Sequence, residues 1–152
     1  MPKSSVVVVD SSTTIYTVLD YPLSSHVEAH WKSWIDADIR ISAPRLWLNE
    51  VTSAIHNAFM LKEISEASAQ DALNAALSLG VELFDEDAVL CQSAFSFATR
   101  LEQLAAYDSF YLALAERLDA EFWTTDKRLA NGARQLGATW VHWIGEEIEG
   151  IF

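Results

Sequence analysis

The chain has 152 residues, of which 51% are hydrophobic and 21% are charged. That length is sufficient for one domain with a substantial core and too short for two, and the composition excludes extended disorder. The formal net charge of -12 argues against a passive nucleic-acid binder, which presents a basic surface. The negative charge does not exclude a nuclease whose metal ions neutralise the phosphate.

The strand-type segments come first in the chain and recur through it. Four consecutive valines lead to Asp10, and such a two-sided apolar run is typical of a central parallel strand covered on both faces. Further short apolar segments alternate with helical periodicity, which favours βα units around a parallel sheet. Strands are predicted over residues 5–10, 39–43, 81–84, 121–124 and 139–143.

The helical segments lie between these strands. Ser24 and Ser25 are suitable N-caps for a first helix, and Pro44 suits the start of a helix over residues 45–61. Ser65 caps the next helix and Gly80 ends it. An apolar stripe over residues 90–101 and a helix over residues 107–118 follow. Thr125 or Asp126 then caps a short helix that ends at Gly137. The prediction is a single α/β domain over residues 1–152, with three α/β/α layers and a central, mostly parallel five-stranded sheet.

Cysteine content and hydropathy indicate the compartment. Cys91 is the single cysteine, so no internal disulfide forms, and a reducing cytoplasm is the expected location. The longest N-terminal apolar run is four valines, too short for a signal peptide, and no segment approaches the roughly 20 apolar residues that cross a bilayer. A cytoplasmic protein without membrane association is expected.

Four acidic residues occupy positions where the predicted fold gathers functional groups, beyond the carboxyl ends of parallel strands. Asp10 ends the first strand, Asp126 follows the fourth, Glu50 lies one turn into the helix after the second strand, and Asp108 opens a helix on the same side. Converging carboxylates repel one another unless cations neutralise them, and such hard oxygen ligands suit Mg²⁺ or Mn²⁺. A metal held in this way activates water for phosphoryl displacement.

These acids lie within four motifs that resemble the PIN-domain ribonucleases, and among them the VapC-type toxins of bacterial toxin–antitoxin pairs. The motifs are V-D-S-S at residues 9–12, A-P at 43–44 with L-N-E-V at 48–51, A-Y-D-S-F-Y-L-A-L-A-E at 106–116, and W-T-T-D-K-R-L at 123–129. Their order and spacing agree with the family over nearly the full chain.

The resemblance implies a PIN-like fold and Mg²⁺- or Mn²⁺-dependent cleavage of RNA, with Asp10, Glu50, Asp108 and Asp126 as metal ligands. Thr124, or alternatively Ser12, orients those ligands by hydrogen bonding. The resemblance also implies a homodimer and inhibition by a small antitoxin protein. Two alternatives stay open: a PIN nuclease of RNA processing without an antitoxin, and a non-catalytic PIN-like interaction module.

The sequence departs from this family in the helix after the glutamate, where relatives often carry basic residues. His56 and Asn57 occupy that stretch here. Phosphate contacts are therefore expected from Arg45, Lys62, Lys127 or Arg128, and nothing in the sequence selects among these four.

Overall fold

Five parallel strands form the centre of the computed structural model, which describes residues 5–146. The strands are β1 (Val6–Val9), β2 (Arg40–Pro44), β3 (Glu82–Phe84), β4 (Glu121–Thr124) and β5 (Val141–Trp143). Their order in the sheet is β3-β2-β1-β4-β5, and each neighbouring pair is parallel. The predicted five-stranded sheet is confirmed, with every pairing parallel rather than most of them.

The strand order places a topological switch point between β1 and β4. The chain builds outward from β1 through β2 to β3, and then returns to the other side of β1 to form β4 and β5. Val9 is paired with Trp123, so the residues that follow them, Asp10 and Thr124, lie side by side. A crevice at such a switch point is the usual ligand site of an open α/β sheet.

Seven helices connect the strands within residues 5–146, and they form the two outer layers. They are α1 (Ser11–Val18), α2 (Ser24–Asp36), α3 (Leu46–Met60), α4 (Glu66–Leu77), α5 (Ala88–Arg100), α6 (Tyr107–Leu118) and α7 (Lys127–Gln135). The sequence prediction omitted α1. Its run of threonine, isoleucine and valine has low intrinsic helix propensity, and the helix forms because Asp10 caps it and its inner face is buried.

The N-cap predictions are partly confirmed. The Ser65 hydroxyl accepts from the backbone N–H of Ser68 at 3.1 Å, as expected for an N-cap. Asp126, rather than Thr125, caps α7. The predicted caps of α2 are wrong, because Leu23 precedes that helix and provides no side-chain hydrogen bond. The Ser24 hydroxyl instead donates to the Leu19 carbonyl at 3.0 Å, which fixes the turn between α1 and α2.

The three-layer arrangement is visible in the alternation along β1. Val6 and Val8 pack into the larger core beneath α3, α5 and α6, while Val7 and Val9 face a smaller core on the opposite side. That smaller core is rich in tryptophan, with Trp31, Trp34 and Trp123 among its buried members. Successive strand residues point to opposite faces, so four valines in a row serve both cores.

The structure also locates the single cysteine and bears on membrane association. Cys91 is exposed on α5, directly after the buried Leu90. Within the described part of the chain, no helix combines the length and apolar character needed to span a bilayer.

Candidate active site

Asp10 lies at the centre of the crevice between β1 and β4, and only 6% of it is exposed. Its Oδ1 accepts from the Ser12 hydroxyl at 2.9 Å, the Thr13 backbone N–H at 2.9 Å and the Thr13 hydroxyl at 2.6 Å. Its Oδ2 accepts a short hydrogen bond from the Thr124 hydroxyl. Burial raises the pKa of the Asp10 carboxyl, and these hydrogen bonds offset only part of that effect.

Thr124 links two of the acids. Its hydroxyl donates to Asp10 and accepts from the backbone N–H of Asp126 at 3.0 Å. Ser12 also contacts Asp10, and its hydroxyl accepts from the Thr125 hydroxyl at 2.8 Å. The family resemblance leaves Thr124 and Ser12 as alternatives for the residue that orients the acids. In the structure, the hydroxyls of both donate to the Asp10 carboxylate.

Glu50 reaches the crevice from the second turn of α3. Its Oε1 accepts from the Tyr111 hydroxyl at 2.5 Å. Burial, followed by the charges of Asp108 and Asp10, raises the pKa of Glu50, while the Tyr111 hydrogen bond lowers it in part. Glu50 is therefore held close to two other carboxyl groups, and a phenol fixes one of its oxygens.

Tyr111 is a site residue that the sequence prediction missed. It is 1% exposed, and its ring stacks beside Phe122. Burial and the neighbouring Glu50 charge raise its pKa well above the usual range, so the phenol stays protonated and donates. In the sequence, Tyr111 is a tyrosine within an apolar helical stripe. Ordinary core residues show the same pattern, so the pattern alone does not indicate a site residue.

Asp108 and Asp126 complete the set at the solvent edge. Asp108 is in the first turn of α6, and burial, then the charges of Asp10 and Asp126, raise its pKa. The Asp108 residue as a whole is more exposed than Asp10, so water screens the repulsion it experiences more than in the case of Asp10. Asp126 caps α7, where its Oδ1 accepts from the backbone N–H of Leu129 at 3.1 Å.

The structure thus places Asp10 and Asp108 within electrostatic range of Glu50, and Asp10 and Asp126 within electrostatic range of Asp108. The charges that raise the pKa values of Glu50 and Asp108 are those of other members of the set. Hard oxygen donors and accumulated negative charge fit a divalent cation such as Mg²⁺. Within residues 5–146, however, no three or more histidine, cysteine, aspartate or glutamate side chains are already arranged as a metal cage. The residues fit a divalent cation in their chemistry and charge, and Mg²⁺ usually keeps several water ligands in place of a closed protein cage.

Two grooves flank these acids. The first, which we name the α7 groove, has a volume of about 860 Å³ and runs between the α5–α6 loop and α7, with Asp108, Asp126, Lys127 and Arg128 in its lining. The second, the α3 groove, has a volume of about 670 Å³, and its lining includes Glu50. An elongated substrate that crosses the acids would extend into both grooves.

In a comparison with protein families, the PIN domain matches residues 7–135. No curated protein sequence matches the chain. The fold is similar to that of PAE2754 from Pyrobaculum aerophilum, with a TM-score of 0.68 at 19% identity, covering 93% of this chain and 86% of the other. It is similar to VapBC2 from Rickettsia felis, solved bound to a promoter DNA fragment, with a TM-score of 0.66 at 14% identity and coverage of 91% and 98%.

A third similar structure is VapC20 of Mycobacterium tuberculosis, described as a Sarcin-Ricin loop cleaving toxin. The TM-score is 0.61 at 15% identity, with coverage of 83% of this chain and 95% of the other. At such identities the structural likeness establishes the fold alone. The family match extends over most of the chain, and the chain therefore belongs to the PIN-domain family.

Proposed function

We propose that this protein is a Mg²⁺- or Mn²⁺-dependent endoribonuclease that hydrolyses RNA phosphodiester bonds. The observation that carries the proposal is the group of four carboxyl residues at the β1–β4 switch point, of which Asp10, Glu50 and Asp108 have raised pKa values. A fold that accumulates like charges at its ligand crevice is stabilised there by a cation. The PIN-domain match and the similar fold of VapC20, a Sarcin-Ricin loop cleaving toxin, support RNA cleavage as the reaction.

Asp10, Glu50, Asp108 and Asp126 would hold the metal. When bound, a divalent cation lowers the pKa of coordinated water and stabilises charge in a phosphoryl displacement. Thr124 fixes Asp10 and the start of α7 together, so that the Asp10 and Asp126 carboxyls keep their spacing. Tyr111 fixes one oxygen of Glu50 and makes no hydrogen bond to the other. The protein groups therefore position the cation and substrate, with no side-chain nucleophile.

Incubation of purified protein with single-stranded RNA and Mg²⁺ or Mn²⁺ tests this proposal. Cleavage is expected with either metal and is expected to stop with a chelator and with Asp10→Asn. Asp71→Asn is a matched control, because Asp71 is an exposed aspartate on α4, outside the crevice. Cleavage that persists in both chelator and Asp10→Asn would refute the metal site.

We further propose that the protein is the toxin of a VapBC-type pair, acts in the cytoplasm, forms a homodimer and is inhibited by a small antitoxin. VapBC2 and VapC20, whose folds are similar, support this assignment. Expression from the native operon should co-purify a partner of under about 100 residues, the size of one small domain. Growth arrest on expression of the chain alone, relieved by that partner, is expected. Harmless expression without any partner would contradict the toxin assignment, and light scattering measures the oligomer.

A further inference from the structure

Most of the arginine residues in the described chain are already neutralised. Four of them form ion pairs with carboxylates: Arg40 with Glu82, Arg45 with Asp85, Arg117 with Asp87, and Arg134 with Glu146. Because the protein carries a net charge of -12, each unneutralised cation near the crevice has a large influence on a polyanionic substrate. The distribution of ion pairs therefore distinguishes basic residues that the sequence could not separate.

Lys127 and Arg128 differ from these arginines. Both are exposed, both line the α7 groove beside Asp108 and Asp126, and neither forms an ion pair with any carboxylate among residues 5–146. Their charges are therefore available to a ligand in the groove. The two positive charges directly follow Asp126 in sequence, so they flank the acidic centre on one side.

Trp143 determines where the Lys127 ammonium lies. The Lys127 Nζ is 4.7 Å from the centroid of the Trp143 ring, a cation–π contact that orients the ammonium without neutralising it. The Trp143 indole N–H donates to the Thr125 carbonyl at 3.2 Å, which ties the ring to the loop between Thr124 and Asp126. The two contacts together favour a position of the ammonium beside the loop that leads to Asp126.

Gly145 makes this position of the Trp143 ring available. A Cβ atom at residue 145 would lie 2.4 Å from two carbon atoms of the ring, far inside van der Waals contact. The indole therefore occupies space that any larger residue at position 145 would fill. Trp143, Lys127 and Gly145 form one packed arrangement that supports a charged side chain in the groove.

We propose that Lys127 and Arg128 form a phosphate subsite for single-stranded RNA in the α7 groove, beside the metal-binding acids, and that Trp143 positions Lys127. This proposal rests on the ribonuclease function proposed above. The α3 groove is less suited to phosphate, since its basic lining residue, Arg45, is paired with Asp85. The α7 groove also contains carboxylates, Glu102 among them, but it adds two cations without an ion pair among residues 5–146. The phosphate adjacent to the cleaved bond would therefore lie on the α7 side.

Salt-dependent binding of a short single-stranded RNA, measured by fluorescence anisotropy, tests the subsite. The measurement uses Asp10→Asn as a non-cleaving background and adds Lys127→Met or Arg128→Met. Each is expected to reduce the slope of log K against log[salt] by about 0.7, the value for one phosphate contact on a single strand. Affinity is expected to fall roughly three- to tenfold at about 0.1 M salt.

Three further variants separate this role from a general loss of charge or fold. Lys62→Met removes an exposed lysine that lines neither groove and should leave slope and affinity unchanged. Lys127→Arg should restore the slope. Trp143→Leu should weaken RNA binding. Adding Lys127→Met to the Trp143→Leu variant should reduce the affinity by a smaller factor than Lys127→Met does when Trp143 is present, since the two residues act together.

The outcomes also separate the two proposals. If the wild-type protein cleaves RNA with metal while Lys127→Met and Arg128→Met bind with unchanged slope and affinity, the subsite is overturned and the ribonuclease function stands. If the wild-type protein cleaves no RNA, the proposed function fails whatever these variants do. Circular dichroism of each variant establishes that it is folded.

Discussion

Replacing Tyr111 with phenylalanine removes one hydroxyl from the site and leaves the ring that packs beside Phe122. The lost group is the donor that holds Glu50 Oε1 at 2.5 Å. A hydrogen bond to a charged group contributes about 1.5–3 kcal/mol, and the lower end applies because Glu50 is partly exposed. A loss of about 1.5 kcal/mol corresponds to roughly tenfold weaker metal binding, since Glu50 must then be ordered during that step.

The same change moves the pH dependence in a defined direction. The Tyr111 hydrogen bond lowers the pKa of Glu50, whereas burial and the charges of Asp108 and Asp10 raise it. Without the phenol, the pKa of Glu50 rises further, and a larger fraction of the carboxyl is protonated at a given pH. Because metal binding requires the ionised form, the acidic limb of the pH–rate profile should move to higher pH in Tyr111→Phe.

Calorimetric titration with Mn²⁺ and cleavage assays over a range of metal concentration and pH measure these effects. Tyr16→Phe is the matched control, because Tyr16 lies on α1 against the smaller core and lines neither groove. It should retain wild-type metal affinity and pH profile. The assignment of Tyr111 as a positioning residue for Glu50 would be refuted if Tyr111→Phe kept the metal affinity of the wild type and the same acidic limb of the pH–rate profile.

Three further predictions concern stability and the Thr124 link. The pKa values of Asp10 and Glu50 are higher in the folded protein than in the unfolded chain. Their contribution to the free energy of unfolding is therefore most favourable below the unfolded pKa of about 4, and it is lost as pH rises through the folded pKa values. The Tm of the metal-free protein should therefore fall more steeply towards neutral pH than that of Asp10→Asn, and Mg²⁺ should raise it; parallel Tm–pH curves would contradict this. Thr124→Val should lower cleavage roughly 10- to 100-fold and Thr124→Ser should retain it, and equal rates for the two variants would exclude the hydroxyl role. Trp47 is 2% exposed and its indole donates to the Thr14 hydroxyl at 2.8 Å, so Trp47→Phe should lower the free energy of unfolding in urea by about 2–3 kcal/mol; a change of under about 0.5 kcal/mol, the usual range for a surface substitution, would show that this packing contributes little.

Local sequence patterns were sufficient for the sheet and for the positions of the acids. Four consecutive valines predict a strand buried on both faces, and β1 supplies both cores. Asp10 directly follows β1 and Asp126 lies two residues beyond the end of β4. Because the strands are parallel, both residues lie at the same edge of the sheet. The serine cap at residue 65 follows from a side chain that competes for backbone N–H groups nearby.

Local patterns failed where the helix depends on its surroundings. The residues of α1 have poor helix propensity, and burial of Thr13, Thr14 and Ile15 compensates for it. At α2, serines that could cap a helix instead fasten the preceding turn, because Ser24 is close to the Leu19 carbonyl in the folded chain. Propensity describes a residue's neighbours in sequence, whereas these outcomes depend on its neighbours in space.

The contacts that organise the site were decided by tertiary structure alone. Tyr111 meets Glu50 across 61 sequence positions, and Thr124 meets Asp10 across 114. Likewise, Lys127 and Arg45 are equivalent as basic residues in the sequence, yet Asp85 neutralises Arg45 and Trp143 holds Lys127 without neutralising it. The sequence was sufficient for the five strands, for every helix except α1 and for the residues that carry charge, because periodicity and composition are local. The folded chain decided which of those charges meet, because burial and pairing depend on packing between distant segments.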